Sequence, residues 1–144
     1  MPAIRQPTPR ASSSVALATM RANKSRNTSL ELRLRALLRE SGLTGYRLHP
    51  DSLPGTPDLV FRQARIAVFV HGCFWHRCAE CDLPLPKANR RFWIAKFRRT
   101  RWRDRNARRQ LRAAGWHTVQ VWEHDVAGGV RAVVRAINAQ RGAA

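Results

Sequence analysis

All three cysteines of the chain fall within eleven residues, His71-Gly72-Cys73-Phe74-Trp75-His76-Arg77-Cys78-Ala79-Glu80-Cys81, at the spacing C-x4-C-x2-C. An odd number of thiols leaves one unpaired in any disulfide scheme, whereas three thiolates so spaced can close on a single Zn²⁺. A metal anchored on both sides of Phe74, Trp75 and His76 holds a short loop rigid and turns its side chains outward. That arrangement suits a working loop better than a core. Tetrahedral zinc needs a fourth ligand. His124, which closes a strand-like run, is the best candidate, and His71 and His76 inside the loop are its rivals. Soft ligands with no evident open position make the expected site structural. The plainer alternative is three buried free cysteines.

With 144 residues the chain is long enough for one domain with a real core and short for two. Its formal net charge is +18, from 27 Lys plus Arg against 9 Asp plus Glu. Such an imbalance repels itself unless a polyanion is the usual partner, and nucleic acid is the first candidate because neutralised phosphates release counterions. A membrane surface is the weaker rival, since no apolar run approaches the roughly 20 residues of a spanning helix. The basic N-terminus lacks a continuous apolar segment, so a cytoplasmic location is expected, where thiolates stay reduced.

Residues 1–22, rich in Ser, Pro, Ala and Arg without periodicity, read as a flexible basic arm, with a short helix or turn at Ala16–Arg21; residues 23–144 read as the folded domain. Thr28-Ser29-Leu30-Glu31 has the form of a capping box, followed by Leu30, Leu34, Leu37 and Leu38 at helical spacing and a stop at Gly42. Tyr46–His49 reads as a short strand. Pro54 and Pro57 force a turn before Asp58-Leu59-Val60-Phe61, which pairs as a hairpin with Ile66–Val70. The hairpin sets Asp58 beside His71. Asn89 is placed to cap a long helix to about Ala114, with Trp93, Phe97, Thr100, Ala107, Leu111 and Ala114 on one face and ten arginines on the others. A strand at His117–Trp122 and a closing helix from Val126 complete an αβββαβα order, an α/β fold with a mixed sheet flanked by helices.

Four features invite a chemical role. Asp104 lies on the apolar face of the long helix, where a carboxylate needs a buried partner. Asp58, at the mouth of the sheet, is a plausible Mg²⁺ ligand. His76 is placed to take a proton from an attacking water, with Asp104 fixing its tautomer. Phe74 and Trp75, as neighbours in an extended loop, point in different directions and suit a wedge between base steps. Separately, plainer roles exist: Asp58 as a turn cap, His76 as the fourth zinc ligand, Asp104 as an arginine partner, and the two aromatics as core.

In order and spacing, Leu53-Pro54-Gly55-Thr56-Pro57-Asp58, His71-Gly72-Cys73-Phe74-Trp75-His76, Arg103-Asp104-Arg105, Gly115-Trp116 and Val121-Trp122-Glu123 resemble the very-short-patch-repair (Vsr) mismatch endonucleases. The resemblance runs from about Met20 to Val126 and implies a restriction-endonuclease-like αβα core with a structural zinc. It implies Mg²⁺-dependent nicking of double-stranded DNA on the 5′ side of the thymine in a T:G mismatch, which initiates repair of deaminated 5-methylcytosine. Carried over by residue, it makes Asp58 the Mg²⁺ ligand together with the backbone carbonyl of Val70, His76 the catalytic histidine, Asp104 its partner and Glu31 an acid near the active site. It also makes Phe74 and Trp75 the intercalating aromatics and Met20 a residue entering from the opposite groove, and assigns zinc to Cys73, Cys78, Cys81 and His124. Val70 stands where a member of the family has threonine, and the Cys/His order of the zinc set differs. The implied setting is a nucleoid-associated cytoplasmic monomer, with mismatch-repair proteins as candidate partners.

Overall fold

The computed structural model describes residues 28–142; Met20, the Ala16–Arg21 segment and the N-terminal arm lie outside them. Helix α1 (Ser29–Glu40) begins where the capping box places it, with the Glu31 amide donating to Thr28 Oγ1 at 3.2 Å. Gly42, at φ 77°, ends it, and the Leu43 amide returns to the Leu38 carbonyl. Strand β1 is only Arg47–Leu48, because the next residue, His49, turns to φ 45° and leaves the sheet. Strands β2 (Leu59–Phe61) and β3 (Ile66–His71) form the expected antiparallel hairpin.

Helix α2 (Arg90–Ala113) is reached through Asn89, which occupies the N-cap position at φ 57° and makes no side-chain capping bond. This differs from the expected cap, since a carboxamide caps a helix from extended rather than left-handed backbone. Strand β4 (His117–Trp122) follows, then a single 3₁₀ turn (Glu123–Asp125) and helix α3 (Val126–Gly142).

The sheet order is β1-β2-β3-β4, antiparallel across the first three strands and parallel between β3 and β4. Period-two alternation divides the apolar side chains between its faces. Leu59, Phe61, Ile66, Val68, Val119 and Val121 pack against Leu34 and Leu38 of α1 and Val126, Val130, Val133 and Ile137 of α3. Val60, Ala67 and Phe69 face the other way, against Leu111 of α2. Helices thus cover both faces of a mixed sheet. Gly129 lets α3 approach β4 closely, for a Cβ there would lie 2.6 Å from Val121 Cγ1. No described helix is long and apolar enough to cross a membrane.

The proline-rich turn before β2 is locked onto α2. Gly55 sits at φ 71°, and a Cβ on it would lie 2.5 Å from the Ala107 Cβ. Both the backbone conformation and the contact exclude a side chain, so Gly55→Ala is expected to destabilise the fold by about 2 kcal/mol or more. A urea midpoint equal to that of the wild type would show that this turn does not pack as described.

Candidate active site and metal centres

The parallel register pairs His71 with Trp122, so the segments leaving β3 and β4 emerge side by side. Two residues further along each chain stand Cys73 and His124. Cys73 Sγ lies 3.3 Å and Cys78 Sγ 3.6 Å from His124 Nδ1. One ligand atom from each of Cys73, Cys78, Cys81 and His124 falls within 4.8 Å of the others. With Zn–S bonds near 2.3 Å, two thiolates on a tetrahedral ion lie about 3.8 Å apart, so the four donors fit one zinc-sized ion. Burial and the neighbouring thiols together push the Cys73 thiol up to about 12, against a bond from His124. Cys73 therefore favours its neutral form until a cation joins it, whereas bonds from the Cys81 and Glu80 backbone lower the Cys78 thiol. His124 Nε2 meets Glu80 Oε2 at 2.8 Å, the carboxylate contact that orients a ligating imidazole.

His76 is kept out of this cluster. Its Nδ1 lies 2.5 Å from Asp104 Oδ2, which answers the question of what partners a carboxylate on the apolar face of α2. Burial alone would raise the Asp104 pKa, but the bond to His76 and the positive groups around it hold the carboxyl below its usual 3.8. His71, which shares the α2-facing side of β3 with Phe69, packs its ring 4.1 Å from that of His76 and 4.9 Å from Trp122.

A second group forms across the sheet mouth. The Val70 amide donates to Asp58 Oδ2 at 2.6 Å, so β3 holds the carboxylate in place. Glu31, reaching in from α1, is 5% exposed and accepts from Arg35 at 3.2 Å. Its Oε2 is also 2.9 Å from His49 Nε2. Glu31, His49 and Asp58 each place a ligand atom within 4.8 Å of the others. Burial, with Glu31 nearby, lifts Asp58 from 3.8 to about 7 despite the bond from Val70. Two adjoining carboxylates in a desolvated setting are relieved by a bound cation. His49 is the residue the sequence reading missed; placed in a strand by pattern, it gave no signal beyond standing five residues before the Pro54–Gly55 turn.

The His76–Asp104 pair and the Glu31 and Asp58 carboxylates open into one cleft of about 520 Å³, lined also by His71 and Trp75 among others. The aromatic pair behaves differently from the expected extended loop. The His76 amide bonds to the Gly72 carbonyl and the Cys78 amide to that of Cys73, so the segment is coiled into turns. Phe74 and Trp75 consequently lean on the same part of α2, with ring centroids 5.9 and 5.6 Å from Trp93, and Phe74 also 5.3 Å from Phe97. Both remain half-buried. The Arg77 guanidinium covers Phe97 at 4.7 Å and donates to the Leu83 carbonyl. Along α2, nine of the ten arginines are exposed and Arg108 is half-buried.

Comparison with known proteins places this architecture. The family model described as DNA mismatch endonuclease Vsr matches residues 12–82. The chain is 40% identical over 116 residues to the type II nicking enzyme V.XorIIP of Xanthomonas oryzae pv. oryzae, covering 79% of this chain and 85% of that protein. It is 39% identical over 104 residues to the DNA mismatch endonuclease Vsr of Escherichia coli K12 (72% and 66%) and 37% identical over 127 residues to the type II nicking enzyme V.NaeI of Lentzea aerocolonigenes (83% and 74%). A chain so related is a DNA endonuclease. The chain belongs to the Vsr family.

His71 makes the cleft wall acid-sensitive. Burial, with the charges of His76 and Arg108, lowers its pKa from 6.5 to about 3, with Asp104 opposing. Neither ring nitrogen has a hydrogen-bond partner among the described residues. Between pH 6.5 and 3 the unfolded chain binds a proton that the folded chain does not, so this stability is complete above pH 6.5 and lost as pH falls. Between pH 7 and 5 the loss from this group is about 2 kcal/mol. Urea unfolding at the two pH values should show that excess in the wild type relative to His71→Asn; equal pH slopes would contradict it.

Proposed function

We propose that this chain is a Mg²⁺-dependent endonuclease that nicks double-stranded DNA 5′ of the thymine in a T:G mismatch and so initiates very short patch repair of deaminated 5-methylcytosine. The observation that carries this reading is the opening of the His76–Asp104 pair and the Glu31–Asp58 pair into one cleft. The layered helices around a mixed sheet are consistent with a restriction-endonuclease-like core. The +18 charge and the arginine-covered α2 suit a phosphate backbone.

Asp58 and Glu31, with the Val70 carbonyl, are the groups that would hold the catalytic cation. When bound, such a cation stabilises charge on the scissile phosphate and its leaving 3′ oxygen. His76 supplies the proton chemistry. With Nδ1 tied to Asp104, Nε2 is the nitrogen left to draw a proton from the attacking water, and the ionised Asp104 stabilises the resulting imidazolium. Phe74 and Trp75 border the same cleft, where they would enter the duplex beside the mismatch; a mispaired step is cheaper to unstack, so the insertion itself discriminates. Met20, within the stretch matched by the family model, would enter from the opposite groove. Cys73, Cys78, Cys81 and His124 are the residues that would hold a structural Zn²⁺, which would fix the base of this wedge next to β4.

The wild-type protein should nick a T:G duplex with Mg²⁺ and leave the matched C:G duplex intact. His76→Ala should lower the rate about 10²–10⁴-fold while retaining binding of uncut duplex. Nicking of both duplexes alike would remove the mismatch reading, and a wild-type rate for His76→Ala would remove the catalytic one. Metal analysis of the purified chain should find one zinc. Cys78→Ser should hold less and lose stability on the order of 3 kcal/mol or more; a zinc-free wild-type chain with the same melting curve would rule the structural site out.

A further inference from the structure

His49 leaves β1 at φ 45°, a left-handed conformation uncommon for a residue with a side chain and sustained only where surrounding contacts enforce it. Two contacts do so. Its amide donates to the Asp58 carbonyl at 3.1 Å, and its imidazole, 9% exposed, brings Nε2 to 2.9 Å from Glu31 Oε2. The same residue is therefore fastened by its backbone to one of the paired acids and by its ring to the other. Two cis ligands on an octahedral ion with bonds near 2.1 Å lie about 3 Å apart. The Glu31–His49 separation matches that spacing, and one ligand atom each from Glu31, His49 and Asp58 lies within 4.8 Å of the others.

We propose that His49 is a protein ligand of the catalytic cation, so that Glu31, His49 and Asp58 form a mixed nitrogen–oxygen set that takes a first-row transition-metal dication such as Mn²⁺ in preference to Mg²⁺. The inference rests on the reading that Glu31 and Asp58 hold that cation. Mg²⁺ is a hard ion that favours oxygen donors and keeps much of its water, whereas Mn²⁺ tolerates imidazole and carboxylate together. An imidazole fixed between two carboxylates shifts the preference of the site without removing its capacity for Mg²⁺.

The test uses the full purified chain without DNA, titrated with Mn²⁺ by electron paramagnetic resonance of the free ion, and with Mg²⁺ as competitor. The wild type should prefer Mn²⁺, and His49→Gln should weaken Mn²⁺ binding about tenfold with a much smaller change for Mg²⁺. Spin-echo modulation of the Mn²⁺-loaded wild type should show a directly bound nitrogen, which is independent of whether the variant folds. Absence of that nitrogen, or a Mn²⁺ to Mg²⁺ preference unchanged in folded His49→Gln, overturns the proposal; the second result includes the case in which both affinities fall together and His49 only positions Glu31. Asp58→Asn separates the two readings. If it loses Mn²⁺ while His49→Gln keeps it, the two-acid site stands and the histidine ligand falls. Undiminished Mn²⁺ binding by Asp58→Asn, or none by the wild type, overturns the underlying cation site as well.

Discussion

The parallel pairing of β3 with β4 is the contact on which the rest of the molecule depends. Parallel strands require a long crossover, and here the crossover carries the cysteine segment and α2. The register from Ile66↔His117 to His71↔Trp122 sets the ends of the two strands level, which brings His124 to Cys73 across 51 residues of chain. The same crossover lays α2 on one sheet face, so that Asp104 reaches His76 across 28 residues. A shift of register by one residue would exchange the faces of β4 and move both meetings apart.

The two acids of the cleft show how setting divides residues of one type. Asp58 and Asp104 both lose solvent, which by itself raises a carboxyl pKa. Asp104 has an imidazole against it and ends below the ordinary value. Asp58 has Glu31 near it, and the single amide bond from Val70 does not offset burial and the neighbouring acid. One carboxylate is thus stable as an anion in the protein alone, while the other is a group whose charged form calls for a cation. Under the function proposed, that contrast would assign proton handling to the Asp104 side of the cleft and cation binding to the Asp58 side.

Much of the fold was legible because its causes are local. The leucine spacing of α1, the alternation of β2 and β3 and the long apolar stripe of α2 each follow from a period that a short window contains. Asp104 was legible as an anomaly on that stripe. The aromatic pair was read less well, since two neighbours diverge in an extended loop but converge when the backbone coils, as the Gly72–His76 and Cys73–Cys78 bonds make it do. His49 was not legible, because its role arises from a left-handed turn after two strand residues and from an acid on another element.

By itself, the sequence determined the element order, the cysteine spacing that brings three thiols together, the anionic character of the partner and the oddity of a buried acid. These depend on composition and on neighbours within a few residues. The tertiary structure decided which of three histidines meets the thiols, which meets Asp104 and which is buried in the cleft wall, because the choice among His71, His76 and His124 is made by how the strand ends and α2 come together. It also decided that Glu31, His49 and Asp58, from three separate elements, share one corner. Within the loop from His71 to Cys81, spacing set three thiols close together, and only the packing of β4 and α2 against it established that His76 lies outside the thiol cluster and faces the cleft.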